Sequence, residues 1–171
     1  MTRLLKAFLD IALWRKTPAV LPASTFLLVL VAMVAALLEP LSDLLSPHPR
    51  HLLVLRMGFA VFVPLCFTWV VLALAKRPER FLQTASAVLG VDVLAGVVLY
   101  PLDAAIQMVG EDKPWALPLG VALLGGYVSY MVAGANIWRA ALDSGVIVGG
   151  LVSLGYFLVQ LLLGQYLASP A

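Results

Sequence analysis

Five long apolar stretches make up most of this chain, and they restrict its fold more than any other feature. The hydrocarbon core of a bilayer is about 30 Å thick, and a helix needs about 20 mostly apolar residues to cross it. The stretches that meet this requirement cover approximately residues 18–38, 52–75, 81–109, 115–137 and 145–167. They are continuous and rich in Leu and Ala, unlike the short alternating strands of a membrane barrel. We therefore predict an all-α, polytopic transmembrane helix bundle that forms a single domain over residues 1–171.

The composition agrees with a membrane protein and excludes several other classes. Hydrophobic residues make up 63% of the chain and charged residues 12%, whereas a soluble domain is about half apolar and a quarter charged. The net charge is only +2, so we expect no binding to nucleic acid. We expect the partners to be the lipid bilayer and either another membrane protein or a second copy of the chain.

The distribution of basic residues predicts the direction of the spans. Eight of the eleven Lys and Arg residues precede the first span or lie in the loops after the second and fourth spans. Lys and Arg are enriched in cytoplasmic loops, so this bias predicts an N-terminus in the cytoplasm and a C-terminus outside. Residues 1–16 mix apolar and basic side chains and are expected to form an amphipathic helix at the cytoplasmic interface. The first span competes with a cleaved signal peptide, but it is longer than the apolar core of such a peptide, so a retained anchor is predicted.

Ionisable residues within the predicted spans are the main candidates for function, because charge at membrane depth is costly and usually functional. Asp92 is the deepest of them, Asp103 follows on the same span, and Arg56 lies near the outer end of the second span. Eleven residues are close to three helical turns, so the two carboxyl groups share a face if the helix continues past Pro101. We expect Pro101 to kink or end that helix, and we expect Arg56 to pair with Asp103.

This intramembrane polar site has three interpretations on sequence grounds. In the first, Asp92 is the titrating group of a proton or ion path, with Arg56 and Asp103 at its outer mouth. In the second, Asp92 is neutral or hydrogen-bonded to a neighbour such as Ser129 or Gln160, and it locks helix packing. In the third it is a counter-charge for a partner chain.

No pattern in the sequence supports catalysis or a bound cofactor. The chain has no G-x-S-x-G, no H-E-x-x-H and no glycine-rich phosphate loop. His48 and His51 lie together in an outer loop, but Pro49 separates them and no third nitrogen or sulfur ligand accompanies them. The single cysteine, Cys66, excludes an intramolecular disulfide. We therefore expect no catalytic residues, no cofactor and no metal, and no enzymatic activity.

Small residues on the last two spans predict close helix packing. Gly145, Gly149 and Ser153 recur every four residues on the fifth span, and such a face allows another helix to approach closely. The fourth span carries Gly125, Gly126, Ser129 and Gly134 and is the expected partner, although an interface between chains remains an alternative. Four tyrosines on these spans are expected to line the contact: Tyr127, Tyr130, Tyr156 and Tyr166.

The segment LDIALWRKTPAVLPAS at Leu9–Ser24 resembles the N-terminus of small bacterial inner-membrane proteins of a Yip1-like kind. The five short-looped spans with small residues in the last pair are also similar to the Yip1 superfamily, whose YGYS-type motif is matched loosely by Gly126-Tyr127 and Ser129-Tyr130. The resemblance implies a non-enzymatic membrane organiser or adaptor. The longer cytosolic N-terminal region and the DLYGP-type motif of eukaryotic members are absent, which favours the bacterial cytoplasmic membrane.

These patterns support three functional hypotheses. The first is a non-enzymatic, Yip1-like integral membrane protein that acts as a scaffold or accessory subunit through helix–helix association. The alternative is a small transporter or a proton or ion channel component that uses Asp92. The weakest is an enzyme that acts on a lipid with His48 or His51 at the outer surface.

Overall fold

The described part of the protein folds as a bundle of six α-helices. The computed structural model describes residues 2–45, 53–109 and 113–168. The helices are α1 (Thr2–Ala12), α2 (Thr25–Leu45), α3 (Leu53–Leu74), α4 (Phe81–Val109), α5 (Ala116–Leu142) and α6 (Val146–Ala168), and the described residues contain no strand. The helices α2 to α6 are long and apolar enough to cross a membrane. The prediction of an all-helical chain with five apolar helices is confirmed.

The first long helix begins later than the sequence predicted. Residues 18–24 do not belong to it: Pro18–Val20 form a short 3-10 turn, and Leu21 is extended. The hydroxyl of Ser24 then accepts the backbone N–H of Leu27 at 3.4 Å and caps α2. Two prolines within five residues explain the difference, because each lacks a backbone donor and restricts the residue before it. At its other end, α2 continues through Pro40 to Leu45 instead of ending near Leu38.

The helix α4 is the central element of the bundle. It contacts α1, α2, α3 and α5, and half of its span is buried, compared with 22% or less for the other four. The helix continues through Pro101 to Val109. Pro101 therefore does not end it, and the bounds of α4 agree with the span predicted over residues 81–109. In a bundle, neighbouring groups can satisfy the backbone carbonyl that a proline frees. Asp92 and Asp103 thus lie on one continuous helix.

A helix is present at the predicted N-terminal position, but α1 ends at Ala12, four residues before the predicted end. One of its faces packs against the bundle. Ile11 is fully buried and Phe8 nearly so. The Phe8 ring occupies the space that a side chain at Gly90 of α4 would need. Trp14, just after α1, donates its Nε1–H to the carbonyl oxygen of Ser129 on α5 at 3.3 Å.

The helices α5 and α6 form a tightly packed pair, and small residues make the close approach possible. A Cβ atom at Gly149 would collide with the backbone of α5 at Ala135 and Arg139. Ser153 fills the space beside Gly134 and donates to the carbonyl oxygen of Met131 at 2.8 Å. Two members of the predicted packing face, Gly149 and Ser153, are therefore used within the chain. The third, Gly145, faces open space.

Gly149→Ala should destabilise the bundle by about 1–3 kcal/mol, because the added methyl group meets backbone atoms that cannot move aside easily. Gly150→Ala is the matched control, since a Cβ atom at this neighbouring position meets nothing within 4 Å. Thermal unfolding in detergent, followed by loss of the monodisperse peak on gel filtration, measures both. Equal midpoints for the two variants would contradict a close α5–α6 contact at Gly149.

Candidate functional site

A cavity of about 630 Å³ lies among helices α2 to α6. The two ends of the bundle differ in chemistry. The basic end carries Lys76, Arg77, Arg80 and Arg139, and the distal end is where α2, α4 and α6 finish. The cavity runs from Asp92 near the middle of α4 towards Arg56 and Gln165 at the distal end.

Asp92 lies at the inner limit of this cavity and is held by two tyrosines from different helices. It stands eleven residues after Phe81, which places it about 16 Å along α4. The hydroxyl of Tyr130 on α5 donates to Oδ1 at 2.7 Å, and the hydroxyl of Tyr156 on α6 donates to Oδ2 at 2.5 Å. Both carboxylate oxygens therefore act as acceptors, and the side chain links three helices.

A second layer of hydrogen bonding fixes this arrangement. The Nε2–H of Gln160, one turn after Tyr156, donates to the Tyr156 hydroxyl at 2.8 Å. A hydroxyl that accepts one bond is free to direct its own proton elsewhere, so Gln160 orients Tyr156 towards Asp92. Asp92 itself is only partly buried, and it lines the cavity wall.

The partners of Asp92 differ from those expected from the sequence. Ser129 and Gln160 were the expected neighbours, whereas the direct partners are Tyr130 and Tyr156, and Gln160 acts through Tyr156. Both tyrosines belong to the set predicted to line the contact between the last two spans. Their phenol groups are the long polar side chains at the depth of Asp92, which is the signal that could have selected them.

At the distal end, Arg56 forms an ion pair that the sequence did not predict. Its Nη2 lies 3.1 Å from Oε2 of Glu39 and 3.2 Å from the Ser42 hydroxyl. The Tyr100 hydroxyl donates to Oε1 of the same glutamate at 3.0 Å. Glu39 thus takes the place predicted for Asp103. The reason is that α2 continues through Pro40 to Leu45, which places Glu39 inside the helix and not just beyond the predicted end of the first span.

Asp103 lies on the same cavity wall as Asp92 but does not form the predicted pair. It lines the cavity, and its Oδ2 accepts the Nε2–H of Gln107 at 2.8 Å. All three predicted polar residues, Asp92, Arg56 and Asp103, therefore border one space, with Asp92 at its inner limit.

The lining combines acidic groups with aromatic side chains. Three carboxyl groups and one guanidinium border the cavity, and the guanidinium is engaged by Glu39. The aromatic members of the lining are Phe59, Tyr100, Tyr127, Tyr130 and Phe157. An excess of carboxylates in a low-dielectric cleft attracts cations, so the electrostatics of the cavity favour a positively charged occupant.

Tight packing separates Asp92 from the basic end. Trp138 and Ile137 of α5 are almost completely buried below it, and the Phe67 ring of α3 lies 5.6 Å from Trp138 and 5.2 Å from Tyr156. The hollow between these side chains measures only about 10 Å³, which is too small to hold more than one water molecule. The lining of the cavity thus extends from Asp92 towards the distal end, and buried side chains fill the interior on the basic side of Asp92.

On the basic side of this packed layer, polar contacts join two turns at the surface. Arg77 pairs with Asp143 at 3.1 Å, and Arg80 donates to the carbonyl oxygen of Ala140 at 2.8 Å. Asp143 adopts a left-handed conformation (φ 54°) and ends α5. These contacts join the turn between α3 and α4 to the turn between α5 and α6.

The described residues contain no group of three or more His, Cys, Asp or Glu side chains that could hold a metal ion. His48 and His51 lie outside the described residues, and Cys66 is on the exposed surface of α3.

Comparison of the chain with known protein families, with curated proteins and with solved structures finds no match.

Proposed function

We propose that this chain is a non-enzymatic integral membrane protein that binds a small cation at Asp92 and moves it across the bilayer. The main support for this proposal is the cavity. It connects a mid-bundle carboxylate to one end of the molecule, and its lining bears more negative than positive groups. Carboxylates at membrane depth that face a cavity are a common feature of ion and substrate pathways.

The packed interior on the basic side of Asp92 favours a transporter over an open channel. A channel needs a continuous path, whereas Trp138, Ile137 and Phe67 block the way from Asp92 to the basic end. A site open to one side and closed to the other fits one state of an alternating-access cycle. In the opposite state these side chains would separate and the distal ends would close.

Association with another membrane protein is the second candidate, in line with the Yip1-like resemblance at Leu9–Ser24. Its structural support is on α6, where Gly145 and Gly150 leave open space that a further helix could occupy. It is the weaker candidate, because Gly149 and Ser153 of the same predicted face already pack against α5.

For the orientation we propose a cytoplasmic basic end, in a bacterial cytoplasmic membrane. The support is the concentration of Lys76, Arg77, Arg80 and Arg139 at that end, since Lys and Arg are retained on the cytoplasmic side. The cavity then opens to the outside.

Purified protein in liposomes should give charge-displacement currents on a solid-supported membrane after concentration jumps of its cation. The panel contains H⁺, Na⁺, K⁺ and methylated ammonium ions. Asp92→Asn should reduce the current to the level of empty liposomes, because it removes the charge that binds the cation in the cavity. Glu79→Gln should retain the wild-type current, since Glu79 is an exposed carboxylate in the turn at the basic end.

Gel filtration of both variants before reconstitution separates loss of transport from loss of fold. A well-folded Asp92→Asn variant with undiminished currents would contradict the proposal, as would the absence of current from wild-type protein with every cation in the panel.

Thiol labelling in intact bacterial cells tests the orientation. Single cysteines at Lys113, before α5, and at Glu79, before α4, are introduced into a Cys66→Ser background. A membrane-impermeant maleimide should label the Lys113→Cys protein in intact cells and the Glu79→Cys protein only after permeabilisation. The reverse pattern would place the basic end outside.

A further inference from the structure

We propose that the cation bound in this cavity is an organic ammonium ion with apolar substituents. This inference rests on the proposed function, since it names the class of substrate for the same site. Three observations support it. The cavity has one central carboxylate, its volume is far larger than an inorganic ion, and aromatic rings line its wall.

The size of the cavity argues against a bare ion. A volume of about 630 Å³ falls in the range of pockets that enclose small organic molecules, roughly 300–1,000 Å³. A proton or a monovalent metal ion would leave almost all of this space unfilled. An organic cation occupies more of it and places apolar groups against the cavity wall.

The groups around Asp92 are unsuited to a metal ion. Hard cations such as Ca²⁺ and Mg²⁺ need about six or more oxygen ligands. The nearest neighbours of Asp92 are the hydroxyls of Tyr130 and Tyr156, and both direct their protons at its oxygens. Glu39, the carboxylate on α2, is engaged by Arg56 and Tyr100. A single carboxylate that accepts hydrogen bonds from two hydroxyl groups is suited to bind one positive charge.

The aromatic side chains are the second group of residues suited to recognise an organic ammonium ion, besides Asp92. Phe59, Tyr127 and Phe157 line the cavity between Asp92 and its mouth, and the rings of Tyr127 and Phe157 are in edge contact at 5.9 Å. Aromatic faces attract ammonium groups and also bury the alkyl or aryl groups attached to them. A quaternary or alkylated ammonium ion satisfies both interactions, whereas a strongly hydrated inorganic cation gains little from apolar walls.

The charge along the path agrees with entry of a cation from the distal end. Asp103 lines the cavity on the same face of α4 as Asp92, three turns nearer the mouth. The positive charge of Arg56 is largely offset by Glu39. An approaching cation therefore meets Asp103 first and then reaches Asp92.

Isothermal titration calorimetry of the detergent-solubilised protein tests this inference. The probes are benzyltrimethylammonium, choline and 3,3-dimethylbutan-1-ol, which is the neutral isostere of choline, all in a constant KCl background. Benzyltrimethylammonium should bind more tightly than choline, and the neutral alcohol should give no saturable heat. Asp92→Asn should weaken benzyltrimethylammonium binding at least about tenfold. Tyr127→Leu should weaken it about two- to fivefold, the range of a cation–π contact.

Glu79→Gln is the control and should bind as the wild type does. No saturable binding of either ammonium probe, or equal binding of choline and its neutral isostere, would overturn the inference. Asp92-dependent currents with H⁺ or K⁺ but no ammonium binding would overturn it while leaving the transport proposal intact. Ammonium binding that depends on Asp92, without any current in liposomes, would support the ligand class and contradict transport.

Discussion

A carboxyl group in the middle of five apolar helices has to be satisfied from inside the bundle, because lipid offers it no hydrogen bonds. In this chain Asp92 of α4 receives one hydrogen bond from α5 and one from α6, through Tyr130 and Tyr156. The three helices are therefore held at one depth by a single side chain. Gln160 adds a further bond that orients Tyr156, so the polar centre is a connected network and not an isolated charge.

The packing of the bundle makes this network possible. The tyrosines of α5 and α6 converge on Asp92 because the two helices approach closely where Gly149 and Gly134 leave room. On the basic side of Asp92, large buried side chains such as Trp138 fill the interior. On the distal side, α2 and α6 are not in close contact, and the cavity lies among the helices there. The same bundle thus has a closed half and an open half, and Asp92 lies at the boundary between them.

Much of this fold is predictable from the sequence, because apolar stretches of this length form membrane-spanning helices. The five long helices and the small-residue contact of Gly149 were predicted from spacing alone. The start of α2 was not, since Pro18 and Pro22 sit within an apolar stretch that hydropathy alone cannot divide. The prediction also ended this span near Leu38, whereas α2 continues to Leu45, so Glu39 was left outside the predicted span and Arg56 was given the wrong partner.

Only part of the candidate site was predicted from the sequence. Asp92 stands out because a charged residue is rare in an apolar span, and its helical register with Asp103 follows from the spacing. Tyr130 and Tyr156 were recognised as residues of the α5–α6 contact but not as partners of Asp92. Which helices surround α4, and at what height, depends on tertiary packing that one sequence does not contain.

Water and solutes should reach the level of Asp92 from the distal end but not from the basic end. Ala95 lies one turn beyond Asp92 in the cavity wall, and Ala133 lies one turn from Tyr130 in the closed half and is 1% exposed. In a Cys66→Ser background, a positively charged methanethiosulfonate reagent should modify the Ala95→Cys protein at least about tenfold faster than the Ala133→Cys protein in nanodiscs. Equal rates, or faster modification at Ala133→Cys, would contradict a cavity that opens only at the distal end.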